Sequence, residues 1–102
     1  MFFKRKRIRD PAHLDFIRRL PCATCPSQPP CEPNHLRTRG SGGGDDTVLP
    51  QCHECHRRFH DKGRHTGLDG RFEAALELAL GLYAVSGDEY NARQLIRIHR
   101  EG

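Results

Sequence analysis

The chain has 102 residues, of which 35% are apolar and 29% charged, with a formal net charge of +4 and a pI of about 9.0. That describes one domain with a thin core, a size class in which a metal or a partner chain often supplements apolar burial. No stretch approaches the roughly 18 apolar residues of a membrane span, and a mildly basic balance suits a polyanion such as nucleic acid without requiring one.

Residues 1–9 form a basic arm. The opening Met1-Phe2-Phe3-Lys4 runs directly into charge, with no apolar segment of the kind a secretory signal needs. A reducing, cytoplasmic setting is therefore expected, where paired cysteines read as metal sites rather than disulfides. The run from Lys4 to Arg9 is either a solvated arm or a source of phosphate contacts, and the two are compatible.

Asp10-Pro11 opens a helix well, with Asp as N-cap and Pro at the first helical position. Leu14, Ile17 and Leu20, with Phe16 beside them, give it an apolar face over residues 10–20, and Pro21 ends it. His13 is expected at the surface or in a capping role. From Pro21 to Pro33 the chain is rich in Pro and Cys, which rules out a regular helix and a central strand. A tight knuckle presenting Cys22 and Cys25 fits. Cys31 is a spare, either buried as a small apolar residue or standing in for another thiolate.

Asn34 to Arg37 reads as a short strand and Thr47 to Pro50 as a second, joined by the glycine-rich loop from Thr38 to Asp46 into a long hairpin. The loop lacks the closing Gly-Lys-Ser/Thr of a nucleotide-binding P-loop. A helix should begin at about Cys52 to Cys55 and run to Lys62, where Gly63 stops it. A helical tail occupies residues 66–102. Phe72, Leu76, Ala79, Leu80 and Tyr83 mark one face of a helix from Gly70 to Val85. Tyr90, Leu95, Ile96 and Ile98 mark another from Glu89 to Arg100, after a break at Ser86-Gly87-Asp88. These helices complete the core or form a homodimer surface. His99 reads as a cation at a helix C-terminus.

The chemistry concentrates in Cys52-His53-Glu54-Cys55-His56-Arg57-Arg58-Phe59-His60. Cys22, Cys25, Cys52 and Cys55 make two C-x-x-C pairs, the pattern of one structural Zn²⁺. A rival grouping takes Cys22, Cys25, His56 and His60 as a finger. Its central spacing far exceeds the roughly 12 residues of a DNA-reading finger, and it leaves Cys52 and Cys55 idle. With cysteines on the zinc, His56 and His60 remain, four apart and so on one helix face, as a pair converging on a second cation. His53 is expected to be exposed. His65 is either solvated or a DNA contact.

The region from about residue 20 to 64 resembles the HNH, or ββα-metal, nucleases. The matching residues are Pro-Cys-Ala-Thr-Cys, then Pro-Asn-His-Leu-Arg, then Gly-Gly-Gly-Asp-Asp-Thr-Val-Leu-Pro-Gln-Cys-His-Glu-Cys-His-Arg-Arg-Phe-His. It is most similar to small phage and prophage HNH proteins whose helix carries a second histidine four residues on. The resemblance implies an α+β fold: a zinc-stabilised ββα-metal core over residues 21–64, with an N-terminal helix and C-terminal helices. It implies His35 as general base, with Asn34, His56 and His60 as ligands of one catalytic divalent cation (Mg²⁺, Mn²⁺, Ni²⁺ or Zn²⁺). Asn34 stands where the family has Asp or His. Thr47 stands where the family's middle Asn orients the base. Arg37, Arg39, Arg57 and Arg58 flank the site as candidate phosphate contacts.

Such a site would hydrolyse phosphodiesters of DNA, or of RNA, in the cytoplasm of a bacterial or phage-infected cell. A neutral imidazole, with an ordinary pKa of about 6.5, can take the proton of the attacking water. A cation stabilises the charge on the far side. The alternative is a non-catalytic zinc-ribbon module on the same scaffold that binds nucleic acid or docks a partner.

Overall fold

The computed structural model describes residues 7–37, 43–61 and 71–101. Asp10 starts the first helix as its side chain dictates, accepting the backbone N–H of His13 at 3.0 Å. Such a cap is worth about 1 kcal/mol. Helix α1 spans Pro11–Arg18 and buries Phe16 and Ile17, with Leu20 just beyond its end. The chain then turns through the proline-rich knuckle to strand β1, Glu32–His35, which pairs antiparallel with β2, Val48–Gln51. Helix α2 spans His53–Asp61, α3 spans Arg71–Ala84 and α4 spans Glu89–Glu101. Among the described residues the fold is α+β, with four helices and a two-stranded antiparallel sheet.

Both strands lie one or two residues from where the sequence places them, and the cause is proline. Pro33 and Pro50 stand opposite each other in the register, between the pairs Glu32–Gln51 and Asn34–Leu49. Antiparallel pairs alternate between hydrogen-bonded and non-bonded, and at a non-bonded pair the N–H groups point outward. Two prolines there sacrifice no ladder bond. In a two-stranded sheet each strand is also an edge, where proline is tolerated. The outward carbonyl of Pro50 is used by the knuckle, accepting the Ala23 N–H at 2.8 Å.

α1 packs across both strands from one side, α2 contacts both strands, and α3 lies on β2 and on α4. Among the described residues the larger of two buried clusters has Ile17, Leu20, Leu36, Val48, Phe59, Leu82 and Ile96 all almost fully buried, and the smaller is made of cysteines. Truncating one leucine of the larger cluster to alanine would cost about 2–5 kcal/mol. α3 is buried along Ala75, Leu78, Ala79 and Leu82, whereas Leu80 is exposed; α4 is buried along Ala92 and Ile96, whereas Tyr90 and Ile98 face outward. Of the expected faces, Ala79 and Ile96 lie in the core and Phe72, Leu76 and Leu95 pack partly buried against it, whereas Leu80, Tyr90 and Ile98 are exposed; Ala75, Leu78, Leu82 and Ala92 complete the contact. Gly87, at φ +89°, turns the chain between the two helices, and Asp88 Oδ1 caps α4 by accepting the Asn91 N–H at 3.1 Å.

His13 is not at the surface. It is 1% exposed, with Nδ1 2.7 Å from Ser86 Oγ and its ring edge-on to Tyr83 at 4.8 Å. It ties α1 to the α3–α4 turn. No helix among the described residues is long and apolar enough to cross a membrane.

Candidate functional site

The knuckle and the start of α2 bring four sulfurs together. The Sγ atoms of Cys22, Cys25, Cys52 and Cys55 all lie within 4.8 Å of one another, and Cys25 and Cys52 are 3.7 Å apart. Ligands of one tetrahedral Zn²⁺ at about 2.3 Å are about 3.8 Å apart, so the cluster could hold such an ion. Each C-x-x-C loop also turns a backbone N–H toward its first sulfur: Thr24 N to Cys22 Sγ at 3.4 Å and Cys55 N to Cys52 Sγ at 3.5 Å. Amide donors favour the thiolate form.

Hydrogen bonding from Ser27, whose Oγ lies 3.0 Å from the sulfur, brings the Cys25 thiol down to about 6. Burial and the neighbouring sulfurs push Cys55 well up. Four thiolates this close would repel one another, and a divalent cation would offset that repulsion and favour ionisation of all four thiols. Cys31 is buried beside Cys22 and Cys55 but stands outside the quartet. Burial, then the nearby cysteines, push its thiol up to about 12, so it behaves as a small buried apolar residue.

The second site lies where the hairpin meets α2. His56 Nε2 and His60 Nε2 face each other at 3.1 Å, as their four-residue spacing on one helix requires. Two imidazole nitrogens at about 2.1 Å from one cation would be about 3.0 Å apart at a right angle and about 3.4 Å apart at the tetrahedral angle. The observed separation falls between these. Glu32, on β1, accepts the Nδ1–H of His56 at 2.8 Å through Oε1 and lies 3.2 Å from His53 Nδ1 through Oε2. That bond fixes the His56 tautomer with its Nε2 lone pair toward His60. Hydrogen bonds from His56 and then His53 hold the Glu32 carboxyl below its ordinary range.

His35, His56 and His60 line one cavity of about 670 Å³. His35 Nε2 lies 2.8 Å from Asp45 Oδ1. Asp45 in turn accepts the Asp10 N–H through Oδ2 at 2.7 Å and donates its own N–H to Ile8 O at 2.8 Å. Burial pushes its carboxyl up, but the bonds from His35 and Asp10 outweigh this and hold it below the ordinary value. Gly44 is required beside it: a Cβ there would lie 2.9 Å from both Ile8 N and Ile8 O. Arg7, Arg9 and Arg37 supply positive charge around the same cavity.

The other expected residues are placed differently. Asn34 lines the cavity but is fully buried, its Nδ2 donating to Gln51 Oε1 at 2.6 Å, while Oδ1 is buried with no hydrogen-bond partner among the described residues. Thr47 does not hold His35: its hydroxyl donates to Gly44 O at 3.1 Å, and Asp45 contacts the ring instead. Arg57 and Arg58 are exposed on α2 away from the cavity, and Arg58 pairs with Glu54 at 3.4 Å. Arg39 and His65 lie outside the described residues. Glu32 and Asp45 are contributors that the sequence reading did not single out. The available signals were a carboxylate two residues before Asn34, hence on the same strand face, and one closing the glycine run.

No family model, curated protein or solved structure matches this chain.

Proposed function

We propose that this chain is a metal-dependent endonuclease of the HNH type that hydrolyses DNA phosphodiester bonds, on a scaffold held by a structural Zn²⁺ at Cys22, Cys25, Cys52 and Cys55. The observation that carries the reading is the facing Nε2 pair of His56 and His60, 3.1 Å apart in the same cavity as His35. A purely structural module would need none of the three. His56 and His60 would hold the catalytic cation, with Asn34 Oδ1 as a third donor. That oxygen is buried with no partner among the described residues, a state that otherwise costs about 1–3 kcal/mol. Bound there, a divalent cation would stabilise the developing negative charge on the scissile phosphate and on the leaving 3′ oxygen. Imidazole and amide donors favour Zn²⁺, Ni²⁺ or Mn²⁺ over Mg²⁺.

The chain's own residues divide the remaining work. His35, whose side chain lines the cavity, would take the proton of the attacking water as general base. The water oxygen bonds to phosphorus, the bond from phosphorus to the 3′ oxygen breaks, and the leaving oxygen takes a proton from solvent. Arg7, Arg9 and Arg37 would hold flanking phosphates as fixed positive charge.

Cleavage of supercoiled plasmid across Mg²⁺, Mn²⁺, Ni²⁺ and Zn²⁺, with His35→Ala as control, tests the reading. Nicking with any of these ions that the control lacks supports it. If no ion supports cleavage while the protein binds DNA and carries one zinc, the chain is the non-catalytic binding or docking module.

A further inference from the structure

We propose that Asp45 is the positioning residue for His35, a role that rests on the nuclease reading. His35 is 44% exposed at its side chain and has no other hydrogen-bond partner among the described residues, whereas Asp45 is 14% exposed and held from three directions. The rigid member of the pair is therefore the carboxylate. Its Oδ2 is fixed by the Asp10 N–H at the start of α1, its own N–H by Ile8 O, and its Oδ1 is left directed at His35 Nε2.

An ionised carboxylate only accepts hydrogen bonds, so the imidazole must present Nε2–H to it and keep its lone pair on Nδ1. Asp45 thus selects the tautomer able to take a proton from water, and it stabilises the imidazolium that results. Thr47 makes neither contribution, because its hydroxyl is committed to Gly44 O. The segment from Ile8 to Asp10, ahead of the first helix, becomes part of the reactive geometry through Asp45.

The test pairs Asp45→Asn and Asp45→Glu with ¹⁵N NMR of the His35 ring and with steady-state cleavage by the full chain. Asparagine keeps the shape and can still accept from Asp10 N through its oxygen, which turns its NH₂ toward His35. The wild type is expected to show the Nε2–H tautomer, and Asp45→Asn to shift it toward Nδ1–H. General-base catalysis contributes about 10²–10⁴-fold, and Asp45→Asn should forfeit at least about tenfold of it in kcat, with KM little changed. Asp45→Glu should restore part of both the tautomer and the rate. In a His35→Ala background, Asp45→Asn should cost nothing further.

An Nδ1–H tautomer in the wild type, or wild-type kcat in Asp45→Asn, would overturn this role and leave the nuclease reading standing. Failure of the wild type to cleave with any ion would remove both, whatever the tautomer.

Discussion

Glu32 on β1 accepts the Nδ1–H of His56 on α2 at 2.8 Å, so the strand sets the orientation of an imidazole that belongs to the helix. A carboxylate behind a ligating histidine fixes its tautomer and raises its basicity. Glu32→Gln should weaken Ni²⁺ or Co²⁺ binding at the histidine pair by about 10- to 100-fold. Zinc held by the cysteines should be unaffected. Calorimetric titration of the zinc-loaded protein would measure this, and an unchanged affinity would remove Glu32 from the site.

The quartet and the fifth cysteine should separate cleanly on mutation. Cys55→Ser should abolish stoichiometric zinc and unfold the knuckle, because no other thiol among the described residues completes the set. Cys31→Ala should keep one zinc per chain, with stability within about 1–2 kcal/mol of wild type. Metal analysis after dialysis, beside a thermal melt, distinguishes the two. Loss of zinc from Cys31→Ala would make Cys31 a ligand.

Much of this scaffold was legible in the sequence where its signals are local. The Asp10-Pro11 cap, the two C-x-x-C pairs and the four-residue histidine spacing each depend on neighbours along the chain, and the structure places them as read. What was not legible depends on pairing at a distance. The strand register turns on Pro33 facing Pro50, and nothing local announces that two prolines will share one non-bonded pair. Asp45 reaches His35 across the hairpin loop, and Glu32 reaches His56 only once the strand is laid against the helix. On α3 and α4 the contacts not read from the sequence include Ala75 and Ala92, whose small size permits close approach but gives little hydrophobic signal, beside Leu78 and Leu82.

Burial lowers the pKa of His13, against the pull of Asp10, Asp45 and Asp46. The unfolded chain therefore binds this proton first, and stability falls as pH drops below about 6.5 toward the folded-state value. Wild type should lose more melting temperature between pH 7 and pH 5 than His13→Asn, a comparison in which acid release of zinc from both proteins cancels. His13→Asn should itself cost about 1–3 kcal/mol at pH 7. Parallel pH slopes for the two proteins would show that His13 is not the titrating group.

Arg7 and Arg9 line the cavity and form no ion pair among the described residues, whereas Arg58 is engaged with Glu54. If both contact phosphates, the double substitution Arg7→Ala/Arg9→Ala should reduce the salt-dependence slope of DNA binding by about 2. Arg58→Ala should leave the slope unchanged. Fluorescence anisotropy over a salt series provides both numbers, and equal slopes for all three proteins would dismiss the arm as a phosphate contact.

On α2, Cys55 and Phe59 form one buried stripe and His56 and His60 the stripe beside it. A sulfur and an aromatic ring, one turn apart, pin the helix against rotation about its own axis. The helix therefore holds the two imidazoles on one face, directed at one spot. If the pair holds a cation as proposed, donor type does the selecting: imidazole nitrogens suit ions such as Zn²⁺ and Ni²⁺, whereas Ca²⁺ takes oxygen ligands.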